Sequence, residues 1–157
     1  MDGINLVSLQ DEIAAHVASE FPNYQIIQDE VLDDEYILRI NNNVKPFAVL
    51  QFGGLARDTR GASFAGVRHD EYYSYVDIAI VGPTPRIARR VLNMFMDNLI
   101  GHRISNGAEL TPVSRVDTFA VRDSSGAPHL YLSIGSLEFR FNSSNPDANI
   151  TPYTVVN

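Results

Sequence analysis

The chain has 157 residues, 45% hydrophobic and 20% charged, with a formal net charge of −7. That is about one domain's length with the composition of an ordinary globular protein. Cysteine is absent, which excludes disulfides, thiolate metal sites and thiol nucleophiles, and the acidic balance argues against a generic nucleic-acid binder.

Residues 5–20 predict an amphipathic helix. Leu6, Leu9, Ile13 and Val17 recur at helical spacing with Ala14 beside them, and Phe21-Pro22 ends the run. Short strands are expected at 24–28 and 36–40, on either side of the acidic turn DEVLDDE. FAVLQF (47–52) is apolar on both faces, as in a central strand. The glycine- and arginine-rich stretch QFGGLARDTRGASFAGVR (51–68) then leads to EYYSYVDIAIVG (71–82), the clearest strand. Alternation puts Tyr72, Ser74, Val76, Ile78 and Ile80 on one face and Tyr73, Tyr75, Asp77, Ala79 and Val81 on the other. A second helix is marked by Thr84 as N-cap, Pro85 at its first position and Gly101 just past its end. Ile87, Val91, Phe95 and Leu99 form its apolar stripe, widened by Ala88 and Leu92. RVDTFAVR (115–122) and HLYLSIGSLEFRFN (129–142) predict a hairpin, with Gly135 marking a bulge.

These elements predict an α+β fold over residues 1–142. A mixed, largely antiparallel sheet of about five to six strands carries two amphipathic helices packed against it. A long loop (53–70) and an extended C-terminal arm (143–157) complete it; the arm is polar and holds two prolines. No apolar run approaches the ~20 residues of a membrane-spanning helix, and no leader segment is expected.

The charge is segregated. Residues 1–38 hold nine acids and neither Lys nor Arg, while the remainder holds all twelve basic residues, eleven of them Arg. Such halves can pair within the fold or between copies of the chain. The arginine bias fits bidentate interface contacts and equally fits genomic base composition.

Candidate sites were weighed for their chemistry. Gly61 and Gly66 have the separation of a phosphate-binding loop, but Val67 and Arg68 stand where Lys and Ser/Thr are required. At about 17 residues the loop exceeds the ~12–15 typical of structureless connections. Arg57, Arg60, Phe64 and Arg68 therefore make it a candidate contact surface. Asp29, Glu30, Asp33, Asp34 and Glu35 lack the order and glycine of a calcium loop; they read as a solvated acidic turn or as partners for arginines of another subunit. Arg86, Arg89 and Arg90 sit early in the second helix, where a cation opposes the helix dipole. They suit an acidic partner or DNA phosphates, and equally a solvated polar face. Tyr153 is the candidate contact in the arm. His16, His69, His102 and His129 show no metal-binding spacing. Ser63 lies near His69 and Asp70 without a nucleophile elbow. No enzyme signature and no cofactor site emerges.

The order of features, KPFAVLQFGG, a Gly/Arg-rich loop, HDEYYSYVDIAIVGPTPRIARRVLNMFMDNLIG, the element GAELTP (107–112) and a terminal hairpin, resembles the tail terminator (tail completion) proteins of long-tailed siphophages. The resemblance spans most of residues 5–142. It implies a non-enzymatic α+β subunit without cofactor that assembles in the host cytoplasm into a hexameric ring. The ring would cap the head-proximal end of the tail tube in the virion, end tube polymerisation and join the connector or stopper proteins of the neck. DNA would pass its channel without specific binding. The alternatives are another neck ring protein, such as a head–tail stopper or tube-like subunit, and a small nucleotide- or nucleic-acid-binding domain.

Overall fold

The computed structural model describes residues 6–29, 46–58, 63–64, 67–68, 71–105, 107–122 and 128–142. Within them lie helix α1 (Leu6–Glu20), strands β1 (Gln25–Gln28), β2 (Phe47–Phe52), β3 (Ala56–Asp58), β4 (Ser63–Phe64), β5 (Val67–Arg68) and β6 (Glu71–Gly82), helix α2 (Pro85–Leu99), and strands β7 (Thr111–Arg122) and β8 (Pro128–Asn142). The fold is α+β: a mixed, mostly antiparallel six-stranded sheet and two helices.

The sheet order is β1-β2-β6-β8-β7, with β3 also paired to β6. Among the described strands only β1 and β2 run parallel. β6 is the spine. It pairs with β8 along its whole length, from Glu71↔Asn142 to Gly82↔Tyr131. On its other side it takes β2 at Val76–Val81 and β3 at Glu71–Tyr73. β2 and β3 thus lie end to end along one side of β6. Gly53-Gly54 breaks the strand, and Gly53 N–H still donates to Tyr75 O at 2.9 Å. The segment 53–70 is therefore not one long loop: it carries β3 and the small antiparallel hairpin β4–β5. The expected strand at 36–40 and the arm 143–157 lie outside the described residues.

The alternation read in β6 sets the two faces of the sheet. Tyr72, Val76, Ile78 and Ile80 join Ala48, Leu50, Leu137 and Phe139 under α1 (Leu9, Ile13, Ala14, Val17) and α2 (Val91, Leu92, Phe95, Met96, Leu99) in one buried cluster. On the opposite face Phe47, Val49, Ala79, Val81, Val121, Leu130 and Leu132 form a second. Buried Ser74 and Ser133 are each satisfied: Ser74 Oγ donates to Gly53 O at 3.1 Å, and Ser133 Oγ bonds Thr118 Oγ1 at 2.9 Å. The end of α1 is held by aromatic packing. Phe21 stacks on Phe95 with centroids 3.9 Å apart, and Tyr24 meets both rings edge-on.

α2 starts as its sequence predicts. Thr84 Oγ1 accepts from Ile87 N–H at 3.1 Å, and Pro85 occupies the first turn. Gly101, at φ 85°, turns the chain out of the helix. One expectation changes. Ile87 is not core: it is 37% exposed, and fully buried Ala88 takes the first-turn position against the sheet. Gly135 does mark a bulge: the register shifts opposite it, with the extra residues on β7 between Val113 and Val116. α2 also approaches the sheet closely at Gly135: a Cβ there would lie 3.1 Å from Met96 Sδ and 3.4 Å from Leu92 Cδ1. Gly82 is similar, with Ala88 N at 3.2 Å from an added Cβ.

Gly135→Val is expected to destabilise the fold by about 1–3 kcal/mol in urea denaturation, because the extra carbons must displace α2. Gly135→Ala is expected to cost less, since the flexible Met96 thioether can move aside. Equal effects of the two substitutions would show that α2 is not seated on Gly135.

Candidate interaction surfaces

The faces of the two helices turned away from the sheet differ in charge. On α2, burial of Ala88, Val91, Leu92, Phe95, Met96 and Leu99 leaves Arg86, Ile87, Arg89, Arg90, Asn93, Met94 and Asp97 exposed. Ile87 and Met94 lie two turns apart on one line, with Arg86 and Arg90 on the line beside it and Arg89 on the far flank. None of the three arginines forms an ion pair with another described residue. They crowd the N-terminal half of the helix, where no acid in the first turn offsets them. On α1, Val7 is 64% exposed, and Asp11, Ala15 and Ala18 line up with it on the outer face. Sequence periodicity had assigned Ile87 to the core and gave no sign of the Val7–Asp11–Ala15–Ala18 face.

A third face of α1 is polar and occupied. Glu12, His16 and Glu20 follow one another at four-residue spacing toward the end of α2 and the turn after it. Glu12 accepts from Ser105 N–H at 2.8 Å and from Ser105 Oγ at 2.6 Å. Glu20 accepts from the Asn98 amide at 3.3 Å. Between them the rings of His16 and His102 stack, centroids 3.7 Å apart and planes 8° from parallel. Burial lowers the His102 pKa below the ordinary imidazole value, and His16 lowers it further; Glu12 and Glu20 pull the other way. No sequence spacing reveals this pair, because its members are 86 residues apart in the chain.

The other face of the sheet carries a polar array at one end of β6 and β8. Tyr73 and Tyr75 meet edge-on at 5.5 Å, and the Arg140 guanidinium lies 5.1 Å from the Tyr73 ring centroid. Arg140 also bonds Glu138. Desolvation, the Glu138 carboxylate and Tyr73 raise the Tyr75 phenol pKa, so its hydroxyl stays protonated as a donor to Glu138. One pleat along, Ser136 Oγ donates to Asp77 Oδ1 at 2.5 Å.

The sequence-predicted residues separate accordingly. Arg86, Arg89 and Arg90 share one exposed face. Arg57 lies in β3, its Cα in register with Tyr72, and Phe64 and Arg68 belong to the β4–β5 hairpin. Arg60, Glu30, Asp33, Asp34, Glu35 and Tyr153 lie outside the described residues, as do His69 and Asp70. Asp29 has a structural role. It stands at φ 57°, its N–H donates to Leu50 O, and its Oδ1 accepts from Phe52 N–H at 3.2 Å. After Arg68 the chain enters β6, so no helix N-terminus follows Gly66 to receive a phosphate. Among the described residues no group of three or more His, Asp or Glu is placed to hold a metal ion, and no helix is long and apolar enough to cross a membrane. Comparison with protein-family models gave no match, and comparison with curated proteins gave none.

Asp29→Asn is expected to keep most of the stability, because Asn tolerates the left-handed backbone and retains the accepting oxygen. Asp29→Ala loses both advantages and is expected to cost about 1–3 kcal/mol in thermal or urea unfolding. A neutral Asp29→Ala would return Asp29 to the solvated acidic turn.

Proposed function

We propose that the chain is a ring-forming structural subunit of the tail terminator class. In this reading it caps the head-proximal end of a phage tail tube, ends tube polymerisation, and offers the joining surface to the neck. Its partners are copies of itself, the tube protein and the connector or stopper proteins, and DNA passes through the ring.

The observation that carries this reading is the pair of unlike helix faces. A ring needs a head-to-tail contact between two different patches of one subunit. The outer face of α2 joins Ile87 and Met94 to three arginines that form no ion pair among the described residues. The outer face of α1 joins Val7 and two alanines to Asp11. Small residues on one helix accept the larger side chains of another, and here the flanking charges have opposite sign. Met94 and Ile87 of one copy seat along Ala15 and Ala18 of the next, with Arg90 or Arg86 against Asp11. The order of sequence features, which resembles that of tail terminators, supports the same reading.

Phage particles made without this protein are expected to yield overlong tubes lacking heads in negative-stain images; tubes of normal length with heads attached would defeat the proposal. At the level of the contact, Arg86→Glu with Arg90→Glu is expected to leave stability within about 0.5 kcal/mol of wild type, as surface substitutions usually do, while abolishing the oligomer in sedimentation analysis. Adding Asp11→Arg should restore part of the assembly. An oligomer indifferent to both changes would place the contact elsewhere.

A further inference from the structure

We propose that the stacked His16–His102 pair is a proton-operated clasp that fastens α1 to the turn following α2 and loosens when both imidazoles are charged. The inference rests on the geometry of the pair and is independent of the assembly reading.

Two parallel imidazoles at 3.7 Å gain contact while at least one is neutral. With both charged, like charges face each other at van der Waals distance. Groups next to the pair can be named among the described residues. From α1 come Glu12 and Glu20, the carboxylates acting on His102. From the C-terminal end of α2 comes the Asn98 amide, bound to Glu20. From the turn itself come Ser105, bound to Glu12, and Arg103, bridged through its backbone to Glu109. Glu12 and Glu20 are already engaged as acceptors by Ser105 and Asn98. Their pull on His102 is outweighed by burial and by the stacked His16 ring, which meets any second charge directly.

The sign follows. His102 binds its proton less readily folded than unfolded. Its contribution to stability is therefore complete above the ordinary imidazole value and is lost as pH falls through the lower folded value. The affected part is local. α1 keeps its apolar side on Leu9, Ile13 and Val17, while its polar side, Glu12 to Glu20, loses the contact that aligns it.

The experiment compares the full chain at about pH 7.5 and about pH 5.5, which bracket imidazole titration. Hydrogen exchange of α1 amides, corrected for intrinsic rates, is expected to speed up relative to β6 by up to about tenfold, the ceiling set by pH 5.5 lying about one unit below the ordinary imidazole value. His102→Phe keeps a ring on His16 and removes the titration, so its relative α1 exchange should change little between the two conditions. An equal acceleration in that variant, or none in the wild type, overturns the clasp. Should His102→Phe fail to fold, nuclear magnetic resonance titration of the wild-type imidazoles decides. Coupled titration with one ring displaced below the ordinary value supports the proposal, and two independent ordinary titrations overturn it.

Discussion

The seat of α2 on β6 and β8 sets the rest of the architecture. Two positions without a side chain permit it: Gly135, beneath Met96 and Leu92, and Gly82, beneath the first turn at Ala88. Close approach lets Leu92, Phe95 and Leu99 be fully buried against Ile78, Ile80, Leu137 and Phe139. It also fixes the rotation of the helix about its axis. Once Ala88 and Leu92 face the sheet, Ile87, Arg90 and Met94 must face away. The arrangement of the outer face is thus a consequence of packing underneath.

α1 is attached by two different kinds of contact. Its apolar side completes the main cluster, and Phe21 caps that side by stacking on Phe95. Its polar side is tied to the end of α2 and the following turn through Glu12, His16 and Glu20. The first attachment is made by apolar side chains that do not titrate. The second depends on ionisation, so the helix has one permanent and one conditional anchor. Gln10 adds a third tie, donating to Gly53 O at 3.0 Å and so linking α1 to the break between β2 and β3.

Much of this frame is legible in the sequence because it depends on local periodicity. The two faces of β6 follow from alternation alone, and α2 announces itself through Thr84, Pro85 and Gly101. What escapes are features defined by contacts distant in sequence. Ile87 matches the apolar stripe yet lies outside the core, because the first turn is filled by Ala88 against Gly82. Gly135 reads as a bulge and lies at one, but the helix some 40 residues earlier that also presses on it leaves no local trace. Asp29 belongs in composition to an acidic run and in structure to the end of β2. The stretch after Gly53 reads as a loop because β3, β4 and β5 are too short to show a period. The His16–His102 stack has no sequence signal at all.

The segregation of charge along the chain gains meaning from where the helices touch. α1 meets α2 at the C-terminal end of α2, through Phe21 on Phe95 and Glu20 on Asn98. The arginines stand at the other end. Twelve residues separate Arg86 from Asn98, about 18 Å along a helix at ~1.5 Å per residue. That exceeds the screening length of about 8 Å at physiological ionic strength. The acids of α1 at that end, Glu12 and Glu20, accept hydrogen bonds from the neutral groups of Ser105 and Asn98. The fold therefore holds its acidic helix and its basic helix end apart within one subunit, although both helices lie on the same face of the sheet. Opposite charges kept from pairing inside a molecule favour pairing between molecules, and unlike patches pair head to tail. In the ring reading, the separation that costs a subunit internal charge pairing is what gives it a neighbour.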